Sequence, residues 1–407
     1  MKKLACIFLF TILLNSCTEE KKNTLAQGVW LAELTAMDQA ILPFNFKLKK
    51  TFADQYEMEI YNAEEVIIVD EIEVIKDSIN IKFPVFEGYI AAKITQNTMQ
   101  GEFIKESLDR IVSFKATHGV SERFRNSKPS NENISGIWET EFAIDTDDAY
   151  MAKGIFIQNG DKVTGTYRTE TGDYRYLDGV VSGDSLKVSA FDGAHAFVFT
   201  AKVTDSSMNG AFYSGNHSKE VFVAKRNEAF ELTSADSLTF IKEGYDKLAF
   251  SFPNAKGEMI SLEDERFKNK VVVVQVMGTW CPNCLDETKY YVDYIKKNSN
   301  SDLEFIALAF EYAKTKEGAF KSINRLKDRI GVEYPIVLAQ FGSSDKALAQ
   351  EKLPMLNHVL SYPTSIFIDK KGTVRKIHTG FNGPATGVKF IEFQQQFDGF
   401  LKELLAE

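Results

Sequence analysis

Two cysteines separated by two residues are the part of this chain best suited to chemistry. They lie in Thr279-Trp280-Cys281-Pro282-Asn283-Cys284, between a run of β-branched residues and a segment with helical spacing. A helix beginning at Cys281 would stabilise its thiolate, because the first N–H groups of a helix are unpaired and its dipole is positive there. Cys284 would lie one turn further on, close enough to form a Cys281–Cys284 disulfide. The spacing therefore predicts thiol–disulfide exchange in which Cys281 attacks and Cys284 resolves the mixed disulfide.

Other uses of a Cys-x-x-Cys pair are disfavoured. A structural zinc site needs four ligands, and the chain has neither a second cysteine pair nor a histidine beside this one. An inert structural disulfide would not need a Trp-Cys-Pro sequence at the start of a helix. We therefore expect a redox-active pair that requires neither a metal nor a cofactor.

The residues around the pair predict an α/β sheet. The run 271–276 is almost entirely β-branched, which is typical of a strand buried on both faces, and residues 285–297 have helical spacing. Further strands are expected at 303–310, 334–339, 365–369 and 373–377, and further helices at 318–330 and 389–405. This alternation of strands and helices indicates an α/β domain over residues 240–407.

Residues 248–405 resemble the thioredoxin superfamily, and more closely its TlpA/ResA-like thiol-disulfide oxidoreductases. The resemblance is carried by Phe250-Ser251-Phe252-Pro253-Asn254-Ala255-Lys256-Gly257, by Gly278-Thr279-Trp280-Cys281-Pro282-Asn283-Cys284 with Glu287, and by Tyr362-Pro363-Thr364 before Ser365-Ile366-Phe367-Ile368-Asp369. It implies a thioredoxin-like fold and protein-disulfide reductase activity. Cytochrome c biogenesis is one role of this family.

The resemblance also implies roles for residues outside the cysteine pair. Pro363 is expected to follow a cis peptide bond beside the cysteines, with the Tyr362 backbone left to pair with a substrate strand. Thr364 is expected to contact the same strand, and Trp280 to shield the cysteines. The alternatives are an ordinary trans proline at the start of a strand and a packed surface aromatic.

Glu287, three residues after Cys284, is the expected proton carrier. A carboxyl group that is buried beside a thiol has a raised pKa and can exchange a proton with it. The position six residues before Cys281, often a buried acid in thioredoxins, is Gln275 here, which cannot titrate. The alternative for Glu287 is an exposed first-turn residue favoured by the helix dipole.

Residues 1–17 have the layout of a bacterial lipoprotein signal peptide. A basic start precedes an apolar run over 4–14, and Leu14-Asn15-Ser16-Cys17 resembles a lipobox. Cleavage would remove Cys6 and leave Cys17 as the lipidated first residue. We therefore expect a protein of the bacterial cell envelope, lipid-anchored and extracytoplasmic, either facing the periplasm or on the outer membrane. The alternative is a plain secretory signal.

The region between this signal and the α/β domain is β-rich and duplicated. Gly28-Val29-Trp30 is echoed by Gly136-Ile137-Trp138, and Met99-Gln100-Gly101-Glu102-Phe103 by Met208-Asn209-Gly210-Ala211-Phe212, at nearly constant spacing. Short alternating segments in each copy predict antiparallel strands. We expect two small barrels or sandwiches, over 25–120 and 133–227, joined by a polar linker.

The second copy contains polar residues that the first lacks. Asp173, Arg175, Asp192 and His195 follow short strand segments. The sequence favours exposed residues that make local hydrogen bonds at turns. The alternative is a polar groove for a ligand or for the C-terminal domain.

Composition narrows the functional classes. The chain has 48 Lys and Arg against 57 Asp and Glu, with a formal net charge of −9, and no strongly basic patch stands out. Nucleic-acid binding is therefore not expected. The leading interpretation is a membrane-tethered disulfide reductase or isomerase that acts on protein disulfides and receives electrons from an upstream membrane donor. The direction of electron flow stays open at this point.

Two other functions compete with this interpretation. A peroxidase of the peroxiredoxin type would carry Pro seven residues and Thr three residues before the cysteine, where this chain has Val274 and Gly278. A binding lipoprotein would use the β-rich region, residues 25–227, to capture a partner. Both remain less favoured than the reductase.

Overall fold

The computed structural model describes residues 24–124 and 128–407 of the chain. Cys17 and the rest of the expected signal peptide lie outside these residues. Among the helices of the described part, none combines the length and the apolar character that a membrane span requires.

The first β-rich region forms one antiparallel sheet over residues 28–118. Its nine strands are β1 (Gly28–Thr35), β2 (Ile41–Lys50), β3 (Tyr56–Asn62), β4 (Glu65–Val69), β5 (Glu71–Ile75), β6 (Ser78–Lys82), β7 (Tyr89–Ile94), β8 (Thr98–Lys105) and β9 (Arg110–His118). They follow the order β4-β3-β2-β1-β9-β8-β7-β6-β5, so first and last strands pair and β4 and β5 form the edges. Alternate residues of β3 are buried, as the apolar–polar alternation predicts.

The second region repeats this meander over residues 136–226 and closes it. Its strands are β10 (Gly136–Phe142), β11 (Tyr150–Asn159), β12 (Lys162–Thr169), β13 (Gly172–Asp173), β14 (Leu177–Ser182), β15 (Ser185–Phe191), β16 (Ala196–Val203), β17 (Ser207–Ser214) and β18 (Ser218–Arg226). β10 pairs with β18, and β11 pairs with both β10 and β12, which joins the ends of the sheet into a barrel. Closure removes the exposed edges that the first region keeps.

Equivalent residues of the two regions make equivalent contacts. Trp30 and Trp138 are both fully buried. Their indole N–H groups donate to the carbonyl four residues earlier, Ala26 O at 3.0 Å and Ile134 O at 2.8 Å. A duplicated meander predicts this repetition, in which the same tryptophan fixes the start of the first strand in each copy.

The C-terminal domain is the expected α/β fold. Its strands are β19 (Ser251–Pro253), β20 (Met259–Ser261), β21 (Val271–Met277), β22 (Leu303–Phe310), β23 (Ile336–Gln340), β24 (Thr364–Ile368) and β25 (Val374–Thr379), and the helices are α1 (Ala235–Leu238), α2 (Pro282–Lys297), α3 (Lys316–Ile330), α4 (Lys346–Lys352) and α5 (Val388–Ala406). The main sheet has the order β23-β22-β21-β24-β25, with β21 parallel to β22 and antiparallel to β24. Every residue of β21 is buried. Two β-rich barrel-like regions followed by a thioredoxin-like domain confirm the predicted fold class.

Helix α3 packs against the first β-rich region. Arg325 Nη2 donates to Glu71 Oε1 at 2.6 Å and to Phe83 O at 2.7 Å. Arg329 Nη2 donates to Asp70 Oδ1 at 2.7 Å. These bidentate contacts hold the C-terminal domain in a definite orientation on the β-rich region.

Candidate active site

The two cysteines lie where β21 ends and α2 begins. Cys281 is the N-cap of α2, and its Sγ accepts a hydrogen bond from the Cys284 backbone N at 3.1 Å. Pro282 occupies the first helical turn, where its missing N–H costs nothing. Cys281 is 6% exposed and Cys284 is fully buried. The first sulfur is therefore the one that a substrate can reach.

The proline loop before β24 faces this pair. The Tyr362–Pro363 peptide is cis, as the resemblance implies. The Cys281 thiol donates to Tyr362 O at 3.4 Å. Thr364 is buried, and its hydroxyl donates to Ser361 O at 2.9 Å, within the same turn. The proline, its neighbours and the outer sulfur thus form one surface.

Trp280 covers one side of this surface. Its indole N–H donates to Phe310 O at 2.9 Å. Its ring lies 5.6 Å from the Tyr362 ring and 5.6 Å from the Tyr312 ring, measured between centroids. The indole is therefore fixed by backbone and aromatic contacts beside the outer cysteine.

Glu287 lies in the interior, so the exposed alternative for this residue is wrong. Its side chain is fully buried. Oε2 accepts from Gln275 Nε2 at 2.8 Å, and Oε1 accepts from Ser365 Oγ at 2.8 Å. Burial raises the pKa of Glu287, against the lowering effect of these hydrogen bonds. Gln275 also donates to Cys284 O at 3.5 Å, which links the carboxyl group to the inner cysteine.

The inner cysteine is held in its protonated form. Burial raises the pKa of the Cys284 thiol well above its usual value, and the sulfur of Cys281 and the carboxyl of Glu287 add to the rise. A buried thiol of this kind reacts only when a neighbouring group takes its proton. The buried carboxyl of Glu287 is suited to that exchange.

Glu311 is a second buried carboxyl near the pair, and it is not among the residues predicted from the sequence. It follows β22, is 2% exposed, and accepts from Thr279 N at 2.8 Å and from Thr279 Oγ1 at 2.7 Å. Burial, opposed by these bonds, raises the pKa of Glu311 to about 7. A signal was available, because a charged residue directly after a buried parallel strand lies at the sheet edge where active sites form. Glu311 anchors the loop that carries Trp280.

The stability of a Glu311→Gln variant relative to that of wild type should increase as the pH rises. The raised pKa means that wild type loses stability from about pH 4.5, the ordinary value, through about 7, where the buried group ionises. The difference corresponds to about 3 kcal/mol at most. Urea unfolding of both proteins at pH 5 and pH 8 measures it. An equal difference at the two pH values would show that folding does not raise the pKa of Glu311.

A turn of the second barrel covers the cysteine pair. This covering turn, residues 169–175, begins at the last residue of β12 and includes β13. Asn283, between the cysteines, donates through Nδ2 to Asp173 O at 3.3 Å, and Ser361 Oγ donates to Thr171 O at 2.9 Å. Gly172 has φ of +148°, and a Cβ there would collide with the Asn283 amide. The second barrel therefore packs against the residues that flank the outer cysteine.

The prediction that Asp173, Arg175 and Asp192 are exposed turn residues is wrong. They are 6%, 5% and 4% exposed. The Arg175 guanidinium pairs with Glu65 of the first region and with Asp286 of α2, and its Nε lies 3.6 Å from Asp192 Oδ2. Three parts of the chain therefore meet at one arginine. Local strand patterns carry no information about a neighbouring domain that covers them, which is why the sequence favoured exposure.

Replacing Asp173 with alanine should expose Cys281. Asp173 Oδ1 accepts from Arg175 N at 2.8 Å and Oδ2 accepts from Gly383 N at 2.7 Å. Losing these acceptors leaves two buried N–H groups unpaired, at about 1–3 kcal/mol each. We expect iodoacetamide to alkylate Cys281 at least about tenfold faster, because the free energy needed to open the covering turn is lower. Asp148→Ala, an exposed position on the same barrel, is the control. Unchanged alkylation in a folded D173A protein would mean that the turn does not limit access.

Comparison with known proteins agrees with this geometry. Residues 242–389 match the Redoxin family model. Thioredoxin-like protein YneN of Bacillus subtilis strain 168 is 29% identical over 140 residues, which are 34% of this chain and 73% of YneN. Thiol-disulfide oxidoreductase ResA of the same organism is 28% identical over 142 residues, 34% of this chain and 69% of ResA.

Part of the chain is also similar to solved structures. A thiol-disulfide oxidoreductase from Bacteroides fragilis NCTC 9343 is 22% identical, covers 37% of this chain and 99% of its own, and superimposes with a TM-score of 0.27. The matches to the curated relatives likewise cover about a third of this chain. The chain therefore carries, after a duplicated β-rich region, a C-terminal Redoxin domain that is homologous to the ResA thiol-disulfide oxidoreductases.

Proposed function

We propose that this protein is a lipid-anchored, extracytoplasmic enzyme that reduces protein disulfides through Cys281 and Cys284. The observation that carries the proposal is the hydrogen bond from Cys284 N to Cys281 Sγ at the N-terminus of α2, with the inner sulfur buried behind it. A backbone N–H and the helix dipole stabilise the charge on the outer sulfur. The inner sulfur is close enough to displace whatever the outer one captures.

Reduction proceeds by two exchanges at sulfur. The Cys281 thiolate attacks one sulfur of the client disulfide, the client S–S bond breaks, and the departing client thiolate takes up a proton. Cys284 then loses its proton and attacks Cys281 Sγ. The bond between Cys281 and the client breaks, and the products are a Cys281–Cys284 disulfide and a dithiol client. Two electrons have passed to the client.

Glu287 moves the proton in the second exchange. Its buried carboxylate is a stronger base than an exposed one, because burial raises its pKa. Gln275 and Ser365 orient its two oxygens at 2.8 Å each. The Cys284 thiol gives its proton to Glu287 as its sulfur attacks, which avoids a free thiolate in the interior.

The clients are protein disulfides, and their approach uses the proline loop. Tyr362 and Thr364 flank Pro363, and Trp280 packs on Tyr362 beside the outer sulfur. A client segment that lies along this loop would bring its disulfide to Cys281. The covering turn occupies part of this space, so client binding includes its displacement.

The anchor and the electron source follow from the sequence. Lipidation at Cys17 would hold the protein at a membrane of the bacterial cell envelope, with its domains outside the cytoplasm. The oxidised pair must be reduced after each turnover, and an upstream membrane donor would do this by the same exchange chemistry.

The test is reduction of a peptide disulfide by the purified protein. With dithiothreitol as electron source, we expect the protein to accelerate reduction over dithiothreitol alone. Prior alkylation of the reduced protein with iodoacetamide should remove the acceleration.

A reduction potential of the pair more negative than about −200 mV supports a reductase, and one above about −150 mV would make it an oxidant. Absence of acceleration would refute the activity.

A further inference from the structure

A basic cleft lies where the first β-rich region, the second barrel and the C-terminal domain meet. It has a volume of 220 Å³. The residues that define it here are Lys105, Arg110, His195, His217, Trp280 and Tyr312. The first four are basic and come from the β-rich regions, whereas the two aromatic residues come from the Redoxin domain. No lining residue is an Asp or a Glu.

Among the described residues, no carboxylate pairs with the two strongest cations of the cleft. Lys105 Nζ donates to Ala194 O at 3.0 Å. Within residues 24–124 and 128–407, neither Lys105 nor Arg110 has a carboxylate oxygen within 4.0 Å. Asp192, a buried acid that attracts Lys105, already pairs with two other residues: its Oδ2 lies 3.6 Å from Arg175 Nε and 3.3 Å from His195 Nδ1.

Because Lys105 and Arg110 are partly buried, the lack of a carboxylate partner lowers the stability of the protein. Burial and the charge of Arg110 lower the pKa of Lys105 to about 8, although Asp192 and Glu87 exert opposing attraction. Burial and the same two cations lower the pKa of His217 to about 4. Like charges that are partly removed from water destabilise the protein unless an anion joins them. The cleft is therefore suited to an anionic group.

The cleft is adjacent to the redox pair. Trp280 and Tyr312 form its wall on the Redoxin side. The Trp280 ring also packs on Tyr362, whose carbonyl oxygen lies 3.4 Å from Cys281 Sγ. A group bound in the cleft is thus one aromatic side chain away from the proline loop along which a client would lie.

We propose that the basic cleft binds a carboxylate side chain of the client and so selects disulfides in acidic segments. This inference rests on the proposed function for the identity of the ligand. Arg110 supplies a planar donor pair that fits a carboxylate, and Lys105 supplies a second charge. Trp280 couples occupation of the cleft to the position of the client at Cys281.

The experiment compares two peptides with the same intramolecular disulfide. One carries Asp and Glu around the cysteines, and the other carries Asn and Gln. We expect the acidic peptide to have a KM about tenfold lower, as one additional charged hydrogen bond allows. Arg110→Gln should bring the ratio of the two KM values close to one, and Lys105→Gln provides a second variant. Lys82→Gln, an exposed lysine of the same β-rich region, should leave the ratio as in wild type.

A binding measurement separates failure of the cleft from failure of the activity. A fluorescent acidic peptide with its cysteines replaced by serine is titrated with the protein and followed by anisotropy. Binding that Arg110→Gln abolishes supports the cleft even if no peptide is reduced. Equal KM values for both peptides, with no binding of the serine peptide, would overturn the proposal. Displacement of the peptide by succinate at equal or lower concentration would also overturn it, because the cleft would then be a site for a free dicarboxylate.

Discussion

Replacing Cys284 with serine should convert turnover into a single covalent capture. Cys281 would still attack the client disulfide, because Sγ keeps its hydrogen bond from the backbone N of residue 284. No second sulfur would be present to release the client, so the mixed disulfide should persist. Replacing Cys281 with serine should abolish capture and lower turnover by at least about a thousandfold, since no other described cysteine approaches the surface.

Non-reducing electrophoresis and mass spectrometry measure both outcomes. We expect an adduct that dithiothreitol reverses in C284S, and no adduct in C281S or in the double variant. Applied to an envelope extract, C284S would also identify the clients. Turnover of C284S at the wild-type rate, or an adduct on Cys284 in C281S, would contradict the order of attack proposed above.

Replacing Glu287 with glutamine should slow the second exchange by about 10²–10⁴-fold. Glutamine keeps the size of the side chain and can still bond Gln275 and Ser365, which contact the carboxyl group at 2.8 Å each. It cannot take the proton of Cys284, whose own pKa is raised by burial. The mixed disulfide should therefore accumulate in E287Q during turnover, as it does permanently in C284S.

The rate of the second exchange should depend on pH in a definite direction. Because burial raises the pKa of Glu287, the wild-type rate of the second exchange should rise with pH in a range above that of an exposed glutamate. E287Q should lack this limb. Glu317→Gln, on an exposed glutamate in the first turn of α3, is the matched control. An E287Q protein with the wild-type profile would remove Glu287 from the mechanism.

We expect E287Q to be folded, so that a slow second exchange in this variant reflects the loss of the carboxyl group. A carboxyl whose pKa is raised on folding stabilises the fold below its ordinary pKa, and that contribution is lost as the pH rises through the folded value. Glutamine cannot ionise. The free energy of unfolding of E287Q relative to wild type should therefore be at least as favourable at neutral pH as it is in acid. Unfolding by urea at two pH values checks this independently of activity.

The elements of the Redoxin domain follow from short-range signals. Expected strands at 271–276 and 303–310 correspond to β21 (Val271–Met277) and β22 (Leu303–Phe310). A β-branched run and a proline directly after a cysteine act within a few residues, so a strand and a helix start are determined locally. The duplicated β meander was equally accessible, because a repeat is a property of the sequence.

Burial at the site was predictable only in part. Glu287 has a definite place on α2, and the resemblance indicated its inward direction. The position of Glu311 directly after a buried strand is readable from the sequence, but its burial is not. Arg175 has no local signal, because its burial depends on domains that come from distant parts of the chain. The Arg175 contacts with Glu65 and Asp286 join residues more than a hundred positions apart.

The amino-acid sequence alone determined the chemistry of this protein: two thiols at a helix start, a proline loop to face them, and a duplicated β-rich region before them. These are properties of neighbouring residues, whose backbone preferences act over one or two turns. Only the tertiary structure decided how far the outer sulfur is exposed, which carboxyl groups are buried, and that four basic residues line a cleft beside Trp280. Such features arise when separate domains exclude water from a shared surface, and no local pattern encodes which surfaces will meet.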